Sequence, residues 1–152
     1  MTQTATGLDE LRALAGQDLG ASDWFEVTQD RVNLFADATE DHQWIHTDPE
    51  RAASGPFGGT IAHGYLTLSL LIPLFNELLE VRGVKMSVNY GLEKVRFPSP
   101  VRVGGKIRLL GTVDSVEDVA GDGVQMALTF TIEIEGGGKP ACVAKALYRH
   151  YA

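Results

Sequence analysis

Residues 61–80, IAHGYLTLSLLIPLFNELLE, constrain the fold more than any other stretch of the chain. The run is apolar on nearly every side of a helix, and such a helix is buried on nearly every side. Thr67, Ser69 and Pro73 interrupt its most apolar part, YLTLSLLIPLF, so it reads as a core helix and not as a membrane span. Pro73 lacks a backbone donor and predicts a kink. From residue 84 the pattern changes to strands: VKMSVNYGLEKVRF, KIRLLGTVDSV, VQMALTFTIEIE and ACVAKALYRHY. The breaks PSPVRVGG, EDVAGDG and GGGKP carry the glycine and proline that turns between antiparallel strands require. In the third strand Met126, Leu128, Phe130, Ile132 and Ile134 alternate with Thr129, Thr131, Glu133 and Glu135. One buried helix followed by antiparallel strands means a sheet curled around that helix, an α+β chain forming a single domain over residues 1–152.

Upstream, Leu8, Leu11 and Leu14 have helical spacing, closed by Gly16, and SDWFEVT (22–28) reads as a first strand. Thr28 caps a helix with Val32, Phe35 and Ala36 on one side, ending near Thr39. Thr47 or Asp48 caps a second short helix whose first turn holds Pro49, so the segment between Thr39 and Thr47 is expected to be a loop. SGPFGGT (54–60) is a glycine-rich turn. The single cysteine, Cys142, excludes an internal disulfide and a multi-cysteine metal site. The first residues, MTQTATGLDELRALAG, lack the basic and apolar regions of a signal peptide, and a cytoplasmic protein is expected. The net charge of −7 argues against general nucleic-acid binding. Residues 82–108 nevertheless hold Arg82, Lys85, Lys94, Arg96, Arg102, Lys106 and Arg108 against Glu93 alone, seven bases to one acid. That window is either a wet sheet face or a local rim for a phosphorylated ligand, in which Lys94 and Arg96 share one face of their strand.

The stretch DATEDHQWIHTDPERA (37–52) carries two histidines and five carboxylates around a tryptophan. If Trp44 and Ile45 pack inward, the loop is anchored and Asp41 and His46 can face a cleft. A carboxylate and an imidazole in one cleft can hold a water molecule and move protons, and histidine titrates near neutral pH. His42 and His46 also form an H-x-x-x-H pair, with His63 a third imidazole. That spacing ligates zinc on a continuous helix, but the capping signal after His46 leaves the pair in a loop, so no metal is expected. His63-Gly64 lies near the start of the long helix. There the Gly64 N–H either receives developing negative charge or simply permits close packing.

The segment FADATEDHQWIHTDPERA (35–52), followed by IAHG (61–64), resembles the MaoC-like dehydratases, the (R)-specific enoyl-CoA hydratases. Their motif runs aromatic, Ser/Thr, Gly, Asp, any residue, Asn, Pro, aliphatic, His, and a small residue six later. Phe35, Thr39, Asp41, Ile45, His46 and Ala52 match it, while Glu40, Gln43 and Trp44 replace its Gly, Asn and Pro. DHQWIH with the upstream GQDLGASDW resembles the NodN-like branch, and VRFPSPVRVGGKI resembles the family's strand–turn–strand segment. The resemblance implies a hot-dog fold, in which the curved sheet wraps the central helix. It also implies reversible hydration of a trans-2-enoyl thioester of coenzyme A to an (R)-3-hydroxyacyl thioester. Asp41 and His46 would be the catalytic pair and the Gly64 N–H the oxyanion donor. Gln43 and His63, with Lys94 and Arg96 for the CoA phosphates, would bind substrate. No cofactor beyond the substrate's own CoA is implied, and the partner is a second copy of the chain in a homodimer. Two alternatives share the fold: an acyl-CoA thioesterase, which normally lacks this Asp–His loop, and a non-catalytic acyl-binding subunit.

Overall fold

A computed structural model describes residues 1–152. The central rod is made of α5 (Gly64–Ser69) and α6 (Leu71–Leu78), interrupted at Leu70. Pro73 explains the interruption, since it has no N–H to give the Ser69 carbonyl and its ring crowds that turn. The helix expected over 61–80 is therefore shorter at both ends. Residues 61–63 form extended backbone at the start, and at the far end Leu79–Arg82 leaves the helix as strand β4 to pair in parallel with β1 (Gln3–Thr6). The expectation of burial on nearly all sides also needs correction. Leu66, Thr67, Leu70, Leu71, Leu74, Phe75 and Leu78 are buried, whereas Tyr65, Ile72 and Asn76 are exposed along one stripe.

Around the buried side of this rod curls a sheet in the order β2-β6-β7-β8-β5. Its strands are β2 (Asp18–Ala21), β5 (Met86–Arg96), β6 (Lys106–Val119), β7 (Gly123–Ile134) and β8 (Cys142–Tyr151). The pairings are antiparallel throughout. The four long strands fall where the alternation put them. Met126, Leu128, Phe130 and Ile132 of β7 are fully buried against the helix, as their shared face requires. This is the curved sheet around a helix that defines the hot-dog fold. The first strand is split: β2 lies earlier than expected, and β3 is only Phe25–Glu26, also paired with β6. The N-terminal helix α1 spans Gly7–Arg12 and buries Leu11. No helix is long and apolar enough to cross a membrane.

The connection from β3 to the rod carries the motif. Thr28 caps α2 (Gln29–Thr39) by accepting from the Arg31 N–H, with Val32 and Ala36 facing inward. Asp48, not Thr47, caps α4 (Pro49–Ala53), accepting from the Arg51 N–H at 3.0 Å. Between them, where a loop was expected, Trp44–Thr47 forms the single helical turn α3.

Candidate active site

His46 sits on α3, is 7% exposed and opens into a cavity of about 190 Å³. Trp44 anchors the turn. A Cβ on Gly55 would come within 3.1 Å of the Trp44 ring, so glycine there lets the SGPFGGT turn lie close against it. The Arg51 guanidinium covers the same ring at 4.3 Å. The Trp44 of the polar loop thus packs between the glycine turn and Arg51.

After that turn, residues 60–62 run as an extended segment between α3 and the strand-entry segment Val101–Val103. The Ile61 N–H donates to the Ile45 carbonyl at 2.9 Å and the Ala62 N–H to the Val101 carbonyl at 2.8 Å. Arg102 holds the turn by donating to the Gly58 carbonyl at 2.8 Å. This aims the Ile61 carbonyl at His46 Nδ1, 2.7 Å away. A carbonyl can only accept, so Nδ1 carries the proton and Nε2 keeps its lone pair. Burial pushes the His46 pKa below the ordinary histidine value, the bond to Ile61 works the other way, and nearby His63 adds to the lowering. The imidazole is therefore neutral near pH 7, with a basic nitrogen available.

His63 immediately precedes α5 and is 3% exposed. Its ring stacks on that of His46, with centroids 3.9 Å apart and planes 23° apart, and Phe35 lies against its side at 4.9 Å. His63 Nε2 donates to the Asp41 backbone carbonyl at 2.9 Å, leaving Nδ1 enclosed and without a partner. His63 stands behind His46, outside the lining of that cavity, with its engaged nitrogen on the Asp41 backbone. Asp41 is exposed, and one ligand atom from each of Asp41, His46 and His63 falls within a 4.8 Å group. His42 stands apart, 3.7 Å from the Asp37 carboxylate. Near-parallel stacked imidazoles send their lone pairs along parallel planes and do not converge on one ion. The Asp41–His46–His63 group therefore does not fit a tetrahedral zinc centre.

Gly64 is the first residue of α5 and lines the His46 cavity. A Cβ there would meet the Phe97 ring at 3.3 Å, so the bare backbone is also what lets Phe97 close against the helix. Gln43 is the exposed residue before α3. Its carbonyl accepts from the His46 N–H at 3.0 Å, and its side chain is not part of the cavity wall. Lys94 and Arg96 are exposed on β5, on the opposite face from the partly buried Val95, and neither lines the cavity, although Phe97 does.

Residue-type reasoning overlooked several groups. Gln29 donates to the His46 carbonyl at 2.8 Å and accepts from the Thr60 hydroxyl at 2.6 Å, tying α2, α3 and the extended segment together. Thr67, Ser99 and Ala141 join the cavity wall. Only Thr67 carried a signal, as a hydroxyl interrupting an apolar helix.

A family model described as MaoC like domain matches residues 10–133. The chain belongs to the MaoC-like family. It is 53% identical over 150 residues to a protein of Mycobacterium tuberculosis (strain ATCC 25618 / H37Rv) named 3-hydroxyacyl-thioester dehydratase Z, covering 99% of each chain. It is 45% identical over 139 residues to nodulation protein N of Rhizobium meliloti (strain 1021), covering 90% of this chain and 86% of that one. Among solved structures, the (R)-hydratase from A. caviae superposes with a TM-score of 0.69 at 28% identity, covering 88% of this chain and 94% of the other. A monoamine oxidase regulatory protein from Archaeoglobus fulgius superposes over 100% of this chain and 99% of its own with a TM-score of 0.78; at 22% identity it speaks for the fold alone.

Proposed function

We propose that this protein is a 3-hydroxyacyl-thioester dehydratase that works reversibly as an (R)-specific enoyl-CoA hydratase. The observation that carries the reading is the His46 tautomer. With Nδ1–H held by the Ile61 carbonyl, Nε2 is a neutral base on a ring that lines the same cavity as Gly64, and an Asp41 carboxylate oxygen falls in the 4.8 Å group that also takes in His46 and His63. The relative of similar length at 53% identity bears the name of such a dehydratase, which supports the same reaction class.

In the hydration direction, the Asp41 carboxylate and His46 Nε2 hold a water molecule. His46 takes one of its protons as the oxygen bonds to C3 of the enoyl thioester, and a proton returns to C2. In dehydration a proton leaves C2 and the C3 hydroxyl departs as water. The thioester oxygen gains negative charge in between, and the Gly64 N–H serves as its donor. His63 acts as a positioning residue. It ties the Asp41 backbone and backs the His46 ring, so both catalytic groups keep their spacing. The Gln43 side chain, exposed outside the cavity wall, meets substrate only beyond that wall. Lys94 and Arg96, exposed and without carboxylate partners, attract the CoA phosphates outside the cavity, three and one positions before Phe97. A CoA thioester substrate fits work in the cytoplasm, where Cys142 stays a thiol.

The same reading includes a homodimer. Strand β5 ends the sheet with one edge unpaired, and Met86, Tyr90, Leu92 and Phe97 are exposed there beside Tyr65 and Ile72 of the central rod. An open edge beside a large apolar patch is what a second copy covers. Sedimentation at assay concentration should give twice the chain mass, and a fully active monomer would contradict the pairing. The activity is tested by incubating the purified protein with crotonyl-CoA and resolving the product on a chiral column. (R)-3-hydroxybutyryl-CoA is expected. Release of free CoA without hydration would favour a thioesterase, and neither product would favour a non-catalytic subunit.

A further inference from the structure

Thr67 is a buried hydroxyl with nothing to bind. Hydroxyls inside helices commonly satisfy themselves on the carbonyl four residues back. In this chain Thr39 does so on Phe35 at 2.7 Å, Thr47 on Gln43 at 3.3 Å and Ser69 on Tyr65 at 2.7 Å. Thr67 makes no such bond to His63, although its backbone N–H donates to the His63 carbonyl at 3.0 Å. The residue is only 3% exposed. The fully enclosed polar side-chain atoms without a partner are His63 Nδ1 and His150 Nε2, and Thr67 Oγ1 is not among them. The little surface it retains therefore opens onto the cavity it lines with His46 and Gly64. A hydroxyl held dry and unpaired destabilises the free protein, and it repays that cost only when something in the cavity accepts from it.

We propose that the Thr67 hydroxyl is a second donor to the thioester oxygen of the substrate, acting with the Gly64 N–H; this rests on the hydratase reading above. Side chains of a helix lean toward its N-terminus, so Thr67, one turn after Gly64, leans back over the turn that Gly64 begins. Apart from His46 and Ser99, the wall around it is apolar: Ile61, Ala62, Phe97, Pro100, Val101 and Ala141 offer no side-chain acceptor. As the oxygen becomes enolate-like its demand for donors rises, so the bond strengthens in the transition state more than in the bound substrate.

The test compares Thr67→Val with Thr67→Ser for crotonyl-CoA hydration and for thermal stability without substrate. Thr67→Val keeps the shape and deletes the donor. Its kcat should fall by about 10- to 100-fold, less than the full loss for a sole oxyanion donor, with KM within about threefold. Its Tm should rise by about 2–4 °C, because an unpaired buried hydroxyl has been removed. Thr67→Ser should stay near wild type in kcat. A lower Tm in Thr67→Val would overturn the inference by revealing an internal partner for the hydroxyl, whatever the activity. Equal loss in Thr67→Ser and Thr67→Val would assign the effect to the missing or altered methyl packing and overturn it as well. Normal turnover of Thr67→Val in an active protein overturns this inference alone, whereas a wild type that hydrates no enoyl thioester overturns the hydratase reading and this inference together.

Discussion

Replacing Glu40 by glycine should stabilise the protein without touching its chemistry. Glu40 ends α2 in the left-handed region, with φ 58 and ψ 24, where the family motif has glycine. An L-residue there costs about 1–2 kcal/mol relative to the right-handed conformation. Glycine removes that strain but gives back about 0.5–1 kcal/mol, because it loses more freedom on folding. Glu40 also puts a negative charge at a helix C-terminus, where the dipole disfavours it by about 0.3 kcal/mol at an exposed position. The net expectation for Glu40→Gly is a gain of about 1 kcal/mol, or about 2–4 °C in Tm for a chain of this size. Glu40→Gln separates the two contributions, since it removes the charge and keeps the strain, and it should recover only the small part. Urea unfolding of wild type and both variants reads the difference directly. Because Glu40 precedes Asp41, hydratase kcat/KM should be followed in parallel and should stay within about twofold. A Glu40→Gly variant no more stable than wild type, or a Glu40→Gln variant that captures the whole gain, would mean that backbone strain at Glu40 does not limit stability.

Gly64→Ala places a methyl 3.3 Å from the Phe97 ring, a cavity-lining residue that must give way, so kcat/KM should drop by about 10- to 100-fold in a steady-state assay. Stability should also depend on pH through His46 and His150, whose pKa values burial lowers. Above the ordinary histidine value both states are neutral and stability is complete; below it the unfolded chain takes up protons that the folded chain refuses. Urea midpoints should therefore fall between about pH 7 and 5, and His150→Gln should flatten part of that slope. Neutralising Lys94 and Arg96 together should raise KM for the CoA thioester at low salt with kcat much less affected, and leave a pantetheine thioester unchanged.

What could be read from the sequence was what local chemistry determines. Thr28 and Asp48 cap their helices, Pro73 interrupts the rod and the alternation of β7 finds its buried face, because each depends on near neighbours. The end of the long helix was misjudged because Leu79–Arg82 is claimed by Gln3–Thr6 from the far end of the chain. Neither four-residue segment has a pattern long enough to announce a strand. The split first strand has the same origin, since β2 and β3 each join β6 at separate registers around Trp24. At the site, Asp41, His46 and Gly64 were legible as residue types in a motif. The Ile61 and Asp41 carbonyls that orient the two imidazoles were not, because a backbone acceptor leaves no mark in the sequence.

If Asp41 and His46 together move protons on a hydroxyacyl thioester, the steady-state rate of crotonyl-CoA hydration by Asp41→Asn and His46→Gln should reveal it, with circular dichroism to verify the fold. Each substitution should cut kcat by about 10²- to 10⁴-fold, the scale of a lost proton-transfer group, with the folded spectrum retained. Near-wild-type turnover in either well-folded variant would contradict the account.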